Sequence, residues 1–175
     1  MKDEREMFGA LLVETSAEVC APDGRYEVVD SAQDRVENMV AASIGMSGPG
    51  LRGALVLMAH AGFFEATYPL RNGAQRDEEA LVDWAGEMAN LILGGLRNRL
   101  AAQGIDFNLS TPTVVRGLHL RVSRRDEPMI VVRRLRIGDE RVTVHCELRR
   151  DGGVGLLAPN SAPSTASAVG ETLLF

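Results

Sequence analysis

The apolar period of this chain changes at Gly104, and that change limits the fold more than any other feature. Upstream, from about Asp77 to Gln103, apolar residues recur at helical spacing. Downstream, TVVRGLHLRVS, PMIVVRRLRI and RVTVHCEL are rich in β-branched residues, and the last alternates Val142, Val144, Cys146 and Leu148 against Arg141, Thr143, His145 and Glu147. A period near 3.6 specifies a helix with one buried side, and a period of 2 specifies a half-buried strand. Gly138-Asp139-Glu140 joins the last two runs into a hairpin.

The earlier half groups its elements in the same way. Residues 36 to 46 and 51 to 59 are strand-like runs joined by Ser47-Gly48-Pro49-Gly50, a strong turn signal. A first helix is expected over residues 3 to 20, where Met7, Leu11 or Ala10, Glu14 and Glu18 fall at helical spacing and acidic residues occupy the first turn. Pro22-Asp23-Gly24 ends it, RYEVVD suits a short strand, and AGFFEATYP suits a short helix stopped by Pro69. Helices and strands that cluster instead of alternating argue for an α+β fold, an antiparallel-rich sheet with the long helix packed over it. From Asp151 onward the chain is rich in Gly, Ala, Ser and Pro, so residues 151 to 175 are expected to form a disordered tail behind a domain over residues 1 to 150.

The long helix carries the most informative side chains. Asp83, Glu87, Asn90 and Gly94 follow at intervals of four, three and four, which places them within an arc of about 60° along one side. Trp84, Ala85, Met88, Leu91, Ile92 and Leu96 supply apolar surface to bury the other sides. A carboxylate and a carboxamide are then held about one turn apart, beside a glycine pair that leaves room for an approaching partner.

This motif resembles the signature of the CheC/CheX/FliY family of chemotaxis phosphatases, and of its CheX branch in particular. The resemblance extends from Asp83-x3-Glu87-x2-Asn90 and Gly94 to Pro112 in STPTVVRG. It also takes in ASIGMSGPGLRGALVLMA (residues 42 to 59) and GIDFNLSTPTVVRG (residues 104 to 117), and covers residues 5 to 149. Helix one offers Glu14 and Glu18, but Ala17 and Ala21 stand three residues later, so it holds no second Glu-x2-Asn. A single motif fits the CheX branch.

The resemblance implies a CheX-like phosphatase domain, an enzyme that hydrolyses the aspartyl-phosphate of a CheY-like response-regulator receiver in chemotaxis or related two-component signalling. Asn90 would position the attacking water, Glu87 would bind the receiver's invariant lysine, and Asp83 and Gly94 would support docking. The chain would bind no cofactor itself, because the Mg²⁺ belongs to the partner receiver. It also implies a homodimer formed through the sheets, with residues 113 to 149 as the contact. The competing class is a binding module that keeps the fold and docks a receiver or flagellar-switch partner without appreciable turnover.

Other features narrow the field. A net charge of −5 and a pI near 5.3 give no electrostatic basis for nucleic acid or an anionic membrane as partner. No apolar run approaches the roughly 20 residues of a membrane span. Cys20 and Cys146 lack CxxC spacing and no apolar signal core stands at the N-terminus, which suits a reducing cytoplasm; spacing alone leaves a disulfide between the two open. His60, His119 and His145 lack metal-ligand spacing, so no metal site is expected. Gly45-x2-Gly48-x-Gly50 lacks the Lys-Ser/Thr ending of a phosphate loop and reads as a turn. Arg124-Arg125 and Arg133-Arg134 suggest a basic sheet edge, of the kind that discourages aggregation, with attraction of an acidic partner as the alternative.

Overall fold

A computed structural model describes residues 2–30, 37–69, 77–118, 120, 122 and 129–150. The expected tail from Asp151 to Leu173-Leu174-Phe175, along with His119 and the Arg124-Arg125 pair, lies outside the described residues. In chain order the elements are α1 (Lys2–Cys20), β1 (Glu27–Val28), β2 (Met39–Gly48), β3 (Leu51–His60), α2 (Ala61–Thr67), α3 (Glu78–Ala101), β4 (Asn108–Leu109), β5 (Thr113–Gly117), β6 (Met129–Ile137) and β7 (Glu140–Arg150).

The strands form one antiparallel sheet in the order β1-β6-β7-β3-β2, with β4 and β5 both paired to the outer side of β2. Two tight hairpins set its register. Gly48 pairs with Leu51 across Pro49-Gly50, where Gly50 adopts φ 69° and spares a side chain the left-handed region. Ile137 pairs with Glu140 across the second turn. The outer edge is one extended passage broken at Ser110-Thr111-Pro112: Ser110 N–H donates to Gly45 O at 2.9 Å, and the Ser110 hydroxyl accepts from Gly45 N–H at 2.9 Å. Proline, which lacks an N–H, is tolerated at such an edge.

Alternation then sorts the two faces. Val40, Ala42, Ile44 and Met46 of β2, Leu55, Leu57 and Ala59 of β3, and Val142, Val144, Cys146 and Leu148 of β7 all point to one side and join the core. There they meet Phe8 and Leu12 of α1, Phe63 and Phe64 of α2, and Ala85, Met88, Ile92, Leu93 and Leu96 of α3. The fold is the expected α+β architecture, with the long helix packed over the sheet.

Several local expectations are corrected. The buried side of α1 carries Phe8, Leu12, Thr15, Ser16 and Cys20, whereas Met7 is exposed, so the apolar stripe lies one position over from the Met7-Leu11 line. Leu91, expected among the apolar residues that bury the long helix, is 45% exposed. The expected β-rich run from Thr113 to Ser123 is a strand only as far as Gly117, and that strand pairs with β2. Arg133 is no edge charge: its guanidinium lies against α1 at Gly9, where an added Cβ would stand 1.8 Å from Nη2, and its Nη1 donates to Val132 O at 3.0 Å. Cys20 and Cys146 are free and buried. Burial pushes the Cys20 thiol up to about 12 and raises that of Cys146 as well, which keeps both as unreactive thiols.

Candidate functional site

Helix α3 is fixed at both ends, and this gives its outward side a defined direction. Asp77 caps the N-terminus by accepting from Ala80 N–H at 2.8 Å, and Glu78 and Glu79 fill the first turn. Gly104, at φ 78°, closes the other end with its N–H on Ala101 O at 3.0 Å. Arg116 of β5 binds Glu78 at 2.9 Å. At the far end, Arg97 Nε donates to Asp106 at 2.9 Å, and this hydrogen bond holds the Asp106 carboxyl below the usual carboxylate range.

Three neighbours determine the rotation of the helix about its axis. Pro112 and Val114 sit beside Gly86, where an added Cβ would lie 3.5 Å from each. The helix α2 side is held by Trp84, whose indole N–H donates to Thr67 Oγ1 at 3.1 Å and whose ring meets Tyr68 edge-on at 6.3 Å. Helix α1 approaches at Gly95, where a Cβ would lie 3.0 Å from Thr15 Cγ2, and Arg99 binds Glu18 at 2.5 Å. Trp84 and Gly95 lie on one flank, Gly86 on the other, and the buried Met88, Ile92 and Leu96 face the core, so three sides of α3 are occupied.

The remaining side carries the four residues of the motif. Asp83 and Glu87 are exposed, Asn90 and Gly94 are half-exposed, and an added Cβ on Gly94 would have no heavy atom within 4 Å. With about 1.5 Å of rise per residue, Glu87 and Asn90 stand about 4.5 Å apart along the axis, and Gly94 opens a gap about 6 Å further on. The structure therefore brings all four expected residues onto one solvent-facing stripe, bordered by Pro112 where the edge strand is broken. The role of STP is legible only here: the break turns Pro112 onto α3 beside Gly86.

Such a stripe offers two carboxylates and a neutral carboxamide to a convex partner. A shallow cavity of about 290 Å³ lies on the sheet face away from the helices, lined by Arg52, Ala54, Glu147 and Arg149, and contains none of the stripe residues. Among the described residues no set of three His, Cys, Asp or Glu side chains is grouped to hold a metal ion, and no described helix is long and apolar enough to cross a membrane.

Residues 40–133 match the family model described as chemotaxis phosphatase CheX. No curated protein sequence matches the chain. Among solved structures, the chemotaxis protein CheX from Vibrio vulnificus superimposes with a TM-score of 0.64 at 21% identity, covering 83% of this chain and 98% of that one. A chemotactic CheC-like protein from Shewanella oneidensis gives 0.63 at 20% identity, covering 85% and 100%. A complex of CheX with CheY, BeF3 and Mg²⁺ from Borrelia burgdorferi gives 0.59 at 16% identity, covering 83% and 97%. At these identities the likeness establishes a shared fold.

Proposed function

The chain belongs to the chemotaxis phosphatase CheX family, and on that premise we propose that it is a cytoplasmic hydrolase of the aspartyl-phosphate on a CheY-like receiver domain. The observation that carries this reading is the outward stripe of Asp83, Glu87, Asn90 and Gly94 on a helix clamped on its other sides. The similar fold captured with CheY, BeF3 and Mg²⁺ supports the class of partner.

The chemistry asks little of the phosphatase. An aspartyl-phosphate is a mixed anhydride and is already activated, and the receiver's Mg²⁺ neutralises charge on the phosphoryl oxygens. What remains is to hold a water in line with the bond that breaks, which converts an encounter into an oriented reaction. The Asn90 carboxamide has a donor and an acceptor, so it fixes the water's orientation without adding negative charge to an anionic site. Glu87, one turn earlier, pairs with the receiver's lysine and sets the depth to which the helix inserts. Asp83 extends docking toward the helix start, and Gly94 leaves the space into which the receiver settles. A homodimer is part of the proposal, supported by the exposed Val115 and Leu118 at the sheet edge.

The decisive experiment is phosphate release from a panel of phosphorylated receivers of the same genome. Release should be accelerated for at least one receiver, should stop on adding EDTA and should return with excess Mg²⁺. The isolated protein should barely touch p-nitrophenyl phosphate, because it owns neither the metal nor the anhydride. Metal-free hydrolysis of that monoester would contradict the mechanism, and tight receiver binding without acceleration would make the protein a docking module.

Gly94 gives a second test with opposite signs in two assays. A helix-interior glycine costs roughly 0.5–1 kcal/mol relative to alanine, and here a methyl group meets no obstacle in the free protein. Gly94→Ala should therefore raise thermal stability, while Gly94→Leu should slow receiver dephosphorylation by filling the approach. A leucine variant as active as the parent would show that nothing enters this gap.

A further inference from the structure

The polar stripe has an apolar border that the catalytic reading does not use. Among the described residues, Leu91 is the exposed large apolar side chain of α3, at 45%, and Met7 is that of α1, at 47%. Single exposed apolar residues are ordinary on protein surfaces. These two are set apart by where they stand. Gly95 packs on Thr15 and Arg99 binds Glu18, so the two helices run in the same direction where they meet, with their numbering offset by about 80. At that offset Met7 is level with Glu87, and the half-buried Leu11 is level with Leu91. Around α3, Leu91 lies about 40° from Glu87 and about 60° from Gly94. Leu91 and Met7 thus edge the same stripe from two helices, on the side opposite Pro112.

We propose that Leu91 and Met7 form an apolar ledge that selects receivers carrying an apolar side chain beside the phosphorylated aspartate. This rests on the phosphatase reading and adds to it the partner's surface chemistry. The occupant follows from continuity: Leu91 lies about 40° round the helix from Glu87, so a receiver seated with its lysine on Glu87 and its phosphoryl group at Asn90 meets Leu91 at the margin of the same contact, where a charged side chain would lose its water without a partner. The surroundings fit the same occupant. Glu14, Asp83 and Glu87 are exposed around the ledge, so the complementary surface is apolar at its centre and basic at its rim.

The ledge acts on binding, which separates it from Asn90. With a panel receiver charged by acetyl phosphate, Leu91→Asp should raise the half-saturating receiver concentration about tenfold, equal to about 1.4 kcal/mol, with a smaller change in the limiting rate. Met7→Asp should act in the same direction, and Leu91→Met should restore the parent value. An unchanged half-saturation in Leu91→Asp would overturn the proposal. So would a Leu91→Met variant as impaired as the aspartate, or a shift of the free protein from dimer to monomer in sedimentation, which would assign the ledge to a second copy of the chain. If no receiver is turned over, the phosphatase reading fails separately. The ledge is then read from binding of the beryllofluoride-treated receivers, where Leu91→Asp must weaken affinity, and absence of any binding by the parent protein rejects both.

Discussion

Replacing Asn90 with alanine is expected to slow phosphate release from a phosphorylated receiver by about a hundredfold or more while leaving the protein folded. That factor corresponds to about 2.7 kcal/mol of transition-state stabilisation, a reasonable share for one positioned hydrogen-bonding group. The fold should survive because Asn90 lies on the open side of α3, outside the buried set of Ala85, Met88, Ala89, Ile92, Leu93 and Leu96, and alanine is the better helix former. Asn90→Asp tests the same role from another direction. Its shape is nearly unchanged, but it loses the donor and brings a negative charge toward the phosphoryl group, so it should also be slow. Single-turnover release at saturating receiver measures the step itself, and an undiminished rate in Asn90→Ala would remove this residue from the mechanism.

The largest effect on stability is expected at Phe8. Its side chain is fully buried where α1 meets the sheet and α3, in one core cluster with Leu12, Leu57, Val144 and Leu96. Phe8→Ala removes the ring and leaves a void that a clamped helix cannot close, at a cost of about 3–5 kcal/mol. Domains of this size are stable by only about 5–15 kcal/mol, so the loss is a substantial part of the total. Urea unfolding should give a much lower midpoint with a similar slope, and a midpoint within experimental error of the parent would mean that α1 contributes little to the core. Since Met7 reaches the proposed ledge from the same helix, a partially released α1 should also weaken receiver binding.

How far the sequence revealed this structure depended on whether the deciding interactions were local. The β2–β3 hairpin was legible because Pro49-Gly50 and the alternation on either side act within a few residues. The long helix was legible because Asp77 caps it, Gly104 closes it, and its apolar period persists over many turns. The stripe followed from that period alone, although its role came from resemblance to a family. Other features hinged on distant partners. Nothing near Thr113 says that β5 pairs with β2, some seventy residues earlier, or that Arg133 tucks its guanidinium beneath Gly9. Leu91 shows how a local rule errs. It looked like one more burying residue, yet its angle places it next to Glu87, and only the position of α1 decides whether that angle is covered.

The way the N-terminal helix is tied to a late strand has a consequence for how the chain comes into being. Arg5 donates to Ile130 O at 2.5 Å, Arg133 lies on Gly9, and β1 pairs with β6 through Glu27 with Arg136 and Val28 with Leu135. Helix α1 is made before the strands, yet part of its seat does not exist until β6 has been synthesised. At about 5–20 residues per second, some 120 residues of translation leave Phe8 and Leu12 without their final surroundings for on the order of ten seconds. Contacts this far apart in the chain also close slowly once they can form. The nascent chain therefore passes through a period in which the apolar residues of α1 wait beside a half-built sheet, and that interval is when a holding chaperone or a neighbouring nascent chain would encounter them.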